Sequence, residues 1–323
     1  MNKVLTQNPD YAFMIEQAIK APSGHNTQPW LFEVGATSID ILPDFTRSLP
    51  IVDPDNRELF ISLGCATENL CITALHRGYE PTVTITKNGA IHIELAKQGC
   101  SRPSSLLSQI NIRQTNRSIY NGNKIPKDQI ETLRKIETTH DIKLRFFENG
   151  TKEFEAISEI IYEGNRRQMG DKDFKNELKQ WMRYNKKHQD ATRDGLSYAV
   201  FGAPNLPCFI AKAIMSQAIN EKMQNKSDKR KILSSSHLTL LTTRHNTIEE
   251  WINLGRILEF FLLKSTEMGI VHAYMNQPNE VQELSRIMAK TLDIDNEYPT
   301  ILLRIGYGKK MPYSSRKEAE THP

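Results

Sequence analysis

The sequence predicts an α+β fold of two related halves, and three observations carry that reading. Amphipathic helical runs alternate with short strand-like runs along all 323 residues. One pair of strands reads as a hairpin. Two long apolar helices also repeat each other: "LFISLGCATENLCITALHRGY" and "EWINLGRILEFFLLKSTEMGI" align without a gap, setting Ile61 on Ile252, Leu63 on Leu254, Gly64 on Gly255, Glu68 on Glu259 and Gly78 on Gly269. A glycine inside a helix costs stability relative to alanine, so Gly64 and Gly255 predict close backbone contact within a buried central helix pair.

The elements follow in order. Asn8 caps a first helix, Pro9 suits its first position, and Ala12, Ile15, Ala18 and Ile19 form its apolar stripe. Pro22 ends it, because the residue before a proline is pushed out of the helical region. "LFEV" and "SIDIL" read as strands. Leu59, Leu63, Ala66, Leu70 and Ala74 mark the first long helix, with Gly78 as its left-handed stop. In "EPTVTITKNGAIHIELAK", Val83 and Ile85 alternate outward, Asn88-Gly89 suits a type I′ turn, and Ile91, Ile93 and Leu95 alternate back. "CSRPSS" at 100–105 marks the boundary of the halves, dividing 1–103 from 104–323. Beyond it, Pro126 opens a helix carrying Ile130, Leu133 and Ile136, and "IKLRFF" is a strand. Residues 151–235, rich in Lys, Glu, Asn and Gln, read as a helical insertion that covers something. "LTLLTT", the second long helix and the closing strand "YPTILLRIGYG" complete the chain.

Composition narrows the function classes. Forty-two basic against 38 acidic residues, a formal charge of +4, is too even for a dedicated nucleic-acid binder but leaves room for a local phosphate pocket. The dense basic run "KSDKRK" at 226–231 reads as a solvated surface loop. Cys65, Cys71, Cys100 and Cys208 make no C-x-x-C pair, which fits free thiols in a reducing compartment. The N-terminal residues carry no apolar signal region and no apolar run approaches about 18 residues, so a cytoplasmic protein without a membrane partner is expected.

Two stretches carry chemistry. In "KAPSGHNTQPWLFEV", residues 20–34, Gly24 permits a left-handed turn, and Asn26 and Gln28 each offer a donor and an acceptor. A flat heterocycle with carbonyl and N–H groups complements them, with Trp30 packed behind. The same residues also suit an ordinary helix-to-strand turn around a core tryptophan, and His25, without a nearby acid or thiol, reads as a loop histidine. In "RQTNR", Arg113, Thr115 and Arg117 offer two guanidinium forks and a hydroxyl that could hold a phosphate, or could form a solvated basic face. Arg316, in the polar tail, could join the same anion. No G-x-G-x-x-G, P-loop, H-E-x-x-H or G-x-S-x-G pattern is present, so a nicotinamide would visit as a diffusing substrate.

Together these stretches resemble the FMN-dependent nitroreductase superfamily. "APSGHNTQPW" is similar to its A-P-S-x-x-N-x-Q-P-W loop, "RQTNRSIY" to its R-x-S-x-R opening with Thr115 in place of serine, and "GRILEFFLLKSTEMGI" and "PTILLRIGYGKKMPYSSR" to its central helix and closing strand with basic tail. Family members usually carry the arginine motif first and the amide loop some thirty residues later. The reversed order here, with no second amide loop, implies a fused pseudo-dimer: two nitroreductase-like halves, each a mainly antiparallel sheet flanked by helices, keeping one complete site. That layout looks like the two-domain Acg-type FMN-binding oxidoreductases, whose flavin lies under a lid, and 151–235 is then the candidate lid.

The resemblance implies that Arg113, Thr115, Arg117 and Arg316 hold the ribityl phosphate of FMN, while Ser23, Gly24, Asn26 and Gln28 contact its ring and ribityl chain. It sets Asn276 and Gln277, just after Tyr274, where the family has a flexible Gly-Gly beside flavin N5. The expected function is ping-pong hydride transfer from NADH or NADPH to a nitroaromatic, quinone or similar acceptor. The cofactor carries that chemistry, so no general acid or base is named. A non-catalytic FMN-storing protein is the alternative, motivated by the insertion and the missing Gly-Gly. The pseudo-dimer lies within one chain, an arrangement compatible with a monomer and with further pairing.

Overall fold

A computed structural model describes residues 8–138, 140–319 and 321–322 of the chain. Its contacts divide into two compact units. The first holds the described residues up to Arg113, Thr247–Glu267 and those from Arg316 on; the second holds Gln114–Asn246 and Met268–Ser315.

In the first unit, Asn8 caps α1 (Pro9–Ala18): its side-chain oxygen accepts the N–H groups of Asp10 at 3.1 Å and Tyr11 at 3.3 Å. The buried stripe is Tyr11, Met14, Ile15 and Ala18, rotated from the expected one. Tyr11 and Met14 bring more apolar surface to the core than Ala12, which is half-buried with Ile19. There follow β1 (Trp30–Val34), β2 (Ser38–Pro43), α2 (Arg57–His76), β3 (Tyr79–Ile85), β4 (Ile91–Lys97) and the short α3 (Leu106–Ile110). β3 and β4 pair antiparallel with Ile85 opposite Ile91, as the alternation predicts. The turn differs from the expected type I′. Thr86 N–H donates to Ala90 O, Gly89 N–H donates to Thr86 O, and within the turn Gly89 alone has positive φ, at +81°. That is a three-residue loop closed by a left-handed glycine, so Asn88 is spared a left-handed backbone.

The chain next builds the second unit with α4 (Lys127–Arg134), β5 (Lys143–Glu148), α5 (Lys152–Gly170), α6 (Lys172–Trp181), β6 (Met182–Arg183), α7 (Lys186–Thr192), β7 (Leu196–Ser197), α8 (Cys208–Ala218), α9 (Glu221–Leu233) and β8 (His237–Thr243). It contributes α10 (Ile248–Glu267) to the first unit, then β9 (Val271–Tyr274), α11 (Gln277–Glu280), α12 (Gln282–Thr291) and β10 (Tyr298–Gly306) to the second. β11 (Thr321–His322) closes the first. The first sheet runs β11-β1-β2-β4-β3, with β11 parallel to β1 and the rest antiparallel. The second runs β5-β8-β10-β9, antiparallel throughout. The architecture is α+β.

The two repeated helices, α2 and α10, pack against each other in the first unit. A Cβ on Gly64 would stand 2.0 Å from the Ile252 carbonyl oxygen, and one on Gly255 would stand 2.1 Å from that of Ile61. The backbones therefore touch where the paired glycines predict. By length and composition α2 could cross a membrane, yet its most apolar window is 83% buried inside the protein. Because α10 joins the first unit, the compact units do not coincide with a linear cut at 103/104.

The 151–235 span is of two kinds. Phe154, Ile157 and Ile161 of α5 share one core cluster with Ile232 of α9, Leu238 and Leu240 of β8, and Leu302 of β10. Both ends of the expected insertion are thus core of the second unit, and the separable part lies between them. That middle has its own small cluster around Met182, Tyr184 and Ala211. It is knotted by buried Arg183, which pairs with Asp194 at 2.6 Å and donates to Thr192 Oγ1 at 2.8 Å. The basic run at 226–231 is not a loop but the second half of α9, with Asp228 buried inside it.

Candidate functional site

Residues 23–28 form a tight turn after α1. Asn26 N–H donates to Ser23 O and Thr27 N–H to Gly24 O, both at 2.9 Å. His25, Asn26 and Gln28 hold φ values of 48°, 57° and 56°, a left-handed backbone that costs an L-residue roughly 1–2 kcal/mol each. Hydrogen bonds hold it there: Gln28 N–H donates to Ser23 Oγ at 2.9 Å, and Arg47 donates to Thr27 O. Gly24 meets its neighbours closely, for a Cβ there would lie 3.1 Å from Glu58 Oε2 and 3.3 Å from Leu49 Cδ1.

The C-terminal tail lies against this turn within the first unit. Arg316 Nη1 donates to Asn26 Oδ1 at 2.7 Å, its Nη2 to the Ala21 carbonyl at 3.1 Å, and Lys317 N–H to Gln28 Oε1 at 2.9 Å. Arg113 donates to the Lys20 carbonyl at 2.8 Å and pairs with Glu259 of α10 at 3.2 Å. Side-chain exposure is 3% for Arg113 and 0% for Glu259, so the pair is taken wholly out of water. Burial raises the Glu259 pKa, opposed chiefly by Arg113 and also by Asn69 and Arg316. Burial pushes Arg316 down to about 9, with Arg113 adding to the push and Glu259 opposing it. A buried and a half-buried guanidinium thus act on one buried carboxylate, a donor set suited to a further anion.

The first unit therefore brings together Ser23, Gly24, Asn26, Gln28, Arg113 and Arg316. Thr115, Arg117 and Asn276 belong to the second unit. Thr115 bridges the β9 strand at His272, and Asn116 N–H donates to the His272 carbonyl at 2.7 Å. Arg117 lies over the Phe201 ring at 5.5 Å, and burial pushes its pKa down to about 10. Asn276 Oδ1 accepts Leu302 N–H at 2.9 Å, which ties the residue to β10. Gln277 beside it donates to Asn165 Oδ1 at 3.1 Å and to Asp228 Oδ2 at 3.2 Å.

Sequence reasoning missed Glu259 as the counter-charge. The repeat held the signal: Glu68 and Glu259 occupy matching positions and each pairs with an arginine, half-buried Glu68 with Arg256 at 3.1 Å. It also missed Arg304, fully buried, which stacks on Tyr120 at 3.9 Å and donates to the Asn116 and Ser118 carbonyls. Arg304 thereby fixes the backbone on either side of Arg117.

No family model matches the chain. It is 23% identical over 315 residues, 93% of its length and 87% of theirs, to two Mycobacterium tuberculosis proteins described as "Putative NAD(P)H nitroreductase", MT3217 of strain CDC 1551 / Oshkosh and Rv3131 of strain ATCC 25618 / H37Rv. Among solved structures it is similar to a Bacteroides fragilis nitroreductase with bound FMN (TM-score 0.39, 15% identity, 67% of this chain and 94% of that one). It is also similar to the FMN-dependent nitroreductase NfnB of Mycobacterium smegmatis in complex with NADPH (TM-score 0.40, 11% identity, 62% and 86%). The sequence likeness runs along nearly the whole chain, and it supports the resemblance to the nitroreductase superfamily.

Proposed function

We propose that the protein is an NAD(P)H-dependent oxidoreductase of nitroreductase type that works with FMN. The likeness to the NAD(P)H nitroreductases over 93% of the chain carries the reading. The donor set fits the group: Arg113 and Arg316 share the single carboxylate of Glu259, which leaves positive charge for a phosphate. Asn26 and Gln28 sit beside Arg316 and Lys317 with their oxygens accepting from the tail, and Gln28 Nε2 donates to the Asn26 carbonyl at 3.4 Å; side-chain amides of this kind are the donor type that suits ring carbonyls.

When bound, FMN supplies the hydride chemistry. The residues bind and orient. Arg113 and Arg316 hold the anionic end, Asn26 and Gln28 set the ring edge, and Ser23 and Gly24 fix the turn that presents them. Thr115, Arg117 and Asn276 are assigned to the same ligand by resemblance. The two related halves and a lid drawn from the middle of 151–235 belong to the same proposal.

One observation favours the second reading, FMN storage. Gln277 stands where the family has a flexible glycine, and its side chain is tied to Asn165 and Asp228. Steady-state oxidation of NADH and NADPH with a quinone or nitroaromatic acceptor separates the two. Turnover dependent on FMN supports the oxidoreductase; tight flavin with no turnover supports storage.

A further inference from the structure

A charge taken out of water is costly unless a counter-charge meets it. In the second unit, three cations gather around one carboxylate. Arg304 of β10 is fully buried, and every hydrogen bond it makes goes to a carbonyl. Its Nη2 donates to the Asn116 and Ser118 carbonyls at 3.0 and 2.8 Å, on either side of Arg117, and its Nη1 to the Lys231 carbonyl at 3.4 Å. Its Nε is buried with no hydrogen-bond partner among the described residues. Arg304 thus draws the backbone at Arg117 and the last turn of α9, at Lys231, to one place. Neither of those side chains has an acid to itself. Half-buried Arg117 lies over the Phe201 ring and makes no side-chain hydrogen bond or ion pair among the described residues. Lys231, also half-buried, stands 3.7 Å from Asp228. Asp228 Oδ2 already accepts from Asn165 at 3.0 Å, Gln224 at 2.9 Å and Gln277 at 3.2 Å.

The three cations are close enough to repel. Burial lowers the pKa of each; Arg304 adds to the lowering at Arg117, and Arg304 and Arg117 both add to it at Lys231. Asp228 is the one carboxylate among the opposing groups, which otherwise are Tyr120 and Tyr274. Three cations against one carboxylate leave two positive charges in excess. A phosphate monoester carries about −1.5 to −2 near pH 7 with three acceptor oxygens, and so matches that excess where a carboxylate does not. We propose that Arg117 and Lys231 bind a phosphate monoester, with Arg304 as the positioning residue that holds both backbones and adds its charge. Two sources share that chemistry: FMN, to which the resemblance assigns Arg117, and a phosphorylated substrate. The resemblance assigns nothing to Lys231 or Arg304.

The test is titration calorimetry of the full chain with inorganic phosphate, at an ionic strength held constant with chloride, and separately with FMN. Lys231→Gln and Arg117→Gln should each raise the Kd for phosphate about tenfold or more, the loss of one charge-assisted contact. Lys229→Gln, exposed on the same helix, should leave it unchanged. Arg117→Gln removes repulsion and breaks no hydrogen bond, so its thermal transition in phosphate-free buffer should stand at or above the parent's. That keeps weaker binding distinct from unfolding. A parallel rise in the Kd for FMN makes FMN the source of the phosphate; an unchanged FMN Kd assigns the site to a phosphate on another molecule. No phosphate binding above chloride, or one Kd for the parent and both variants, would overturn the proposal. A chain that binds phosphate through Arg117 and Lys231 yet takes no FMN keeps this site and loses only the flavin reading.

Discussion

Replacing Gly64 by alanine sets two effects of opposite sign against each other. Inside a helix, alanine is better than glycine by about 1 kcal/mol. At Gly64 the new Cβ would stand 2.0 Å from the Ile252 carbonyl oxygen and 2.9 Å from Gly255 Cα. An ordinary C···O approach is about 3.3 Å or more, so α2 and α10 would have to separate by about 1 Å. Both obstacles are backbone, so no rotamer change relieves them. Overpacking of this kind costs about 1–3 kcal/mol, and prising apart an apolar helix pair puts the cost at or above the top of that range. We expect a net loss of about 2–3 kcal/mol after the propensity gain. Gly170, the last residue of α5, is the control, because its Cβ would meet nothing within 4 Å. Gly170→Ala should be neutral or stabilising by up to about 1 kcal/mol. Urea unfolding of both variants reads the difference. The pair Gly64→Ala/Gly255→Ala should lose less than the sum of its singles, since the first substitution already opens the gap that the second needs. A Gly64→Ala protein at least as stable as its parent would refute the contact.

Three further outcomes are expected. Glu259→Gln leaves Arg113 buried without its carboxylate, and should cost about 3–5 kcal/mol in chemical unfolding; a loss below about 1 kcal/mol would mean that water reaches the pair. Glu297 titrates at about 2 instead of 4.5: burial opposes its ionisation, but hydrogen bonds from Arg145, Lys143 and Thr242 outweigh it. Its folded pKa is below the unfolded one, so its contribution is complete above pH 4.5 and lost as pH falls toward 2. With Lys143 53% exposed we discount it to about 1–2 kcal/mol, which Glu297→Gln should remove at pH 7 but not at pH 2. Arg316→Ala should weaken FMN binding by about 1.5–3 kcal/mol, roughly a tenfold to hundredfold rise in Kd by fluorescence quenching, with Lys226→Ala unchanged.

Much of the fold was legible because local chemistry decides it. The Asn8 cap, the alternation of β3 and β4, and the paired glycines of α2 and α10 each report a contact that few other residues could make. What local pattern could not reveal depends on long-range partners. The stripe of α1 turned toward Tyr11 and Met14, and Asn88-Gly89 took the looser of two hairpin turns. The polar composition of 151–235 concealed that Phe154, Ile157, Ile161 and Ile232 are core, since a helix against a sheet needs only one apolar stripe. At the site, the amide turn and its arginines were readable by residue type. Glu259 was not, because a glutamate in an apolar helix declares itself only through the arginine that reaches it from elsewhere in the chain.

FMN held through the turn at 23–28 and its arginines is the proposal on which the rest depends. The most direct measurement is to purify the protein, denature it, and quantify and identify the released flavin by absorbance and mass. FMN at roughly one per chain is the expected result, since one amide loop is present in the sequence. Two per chain would contradict the single complete site, and none, even after incubation with excess FMN, would contradict the claim itself.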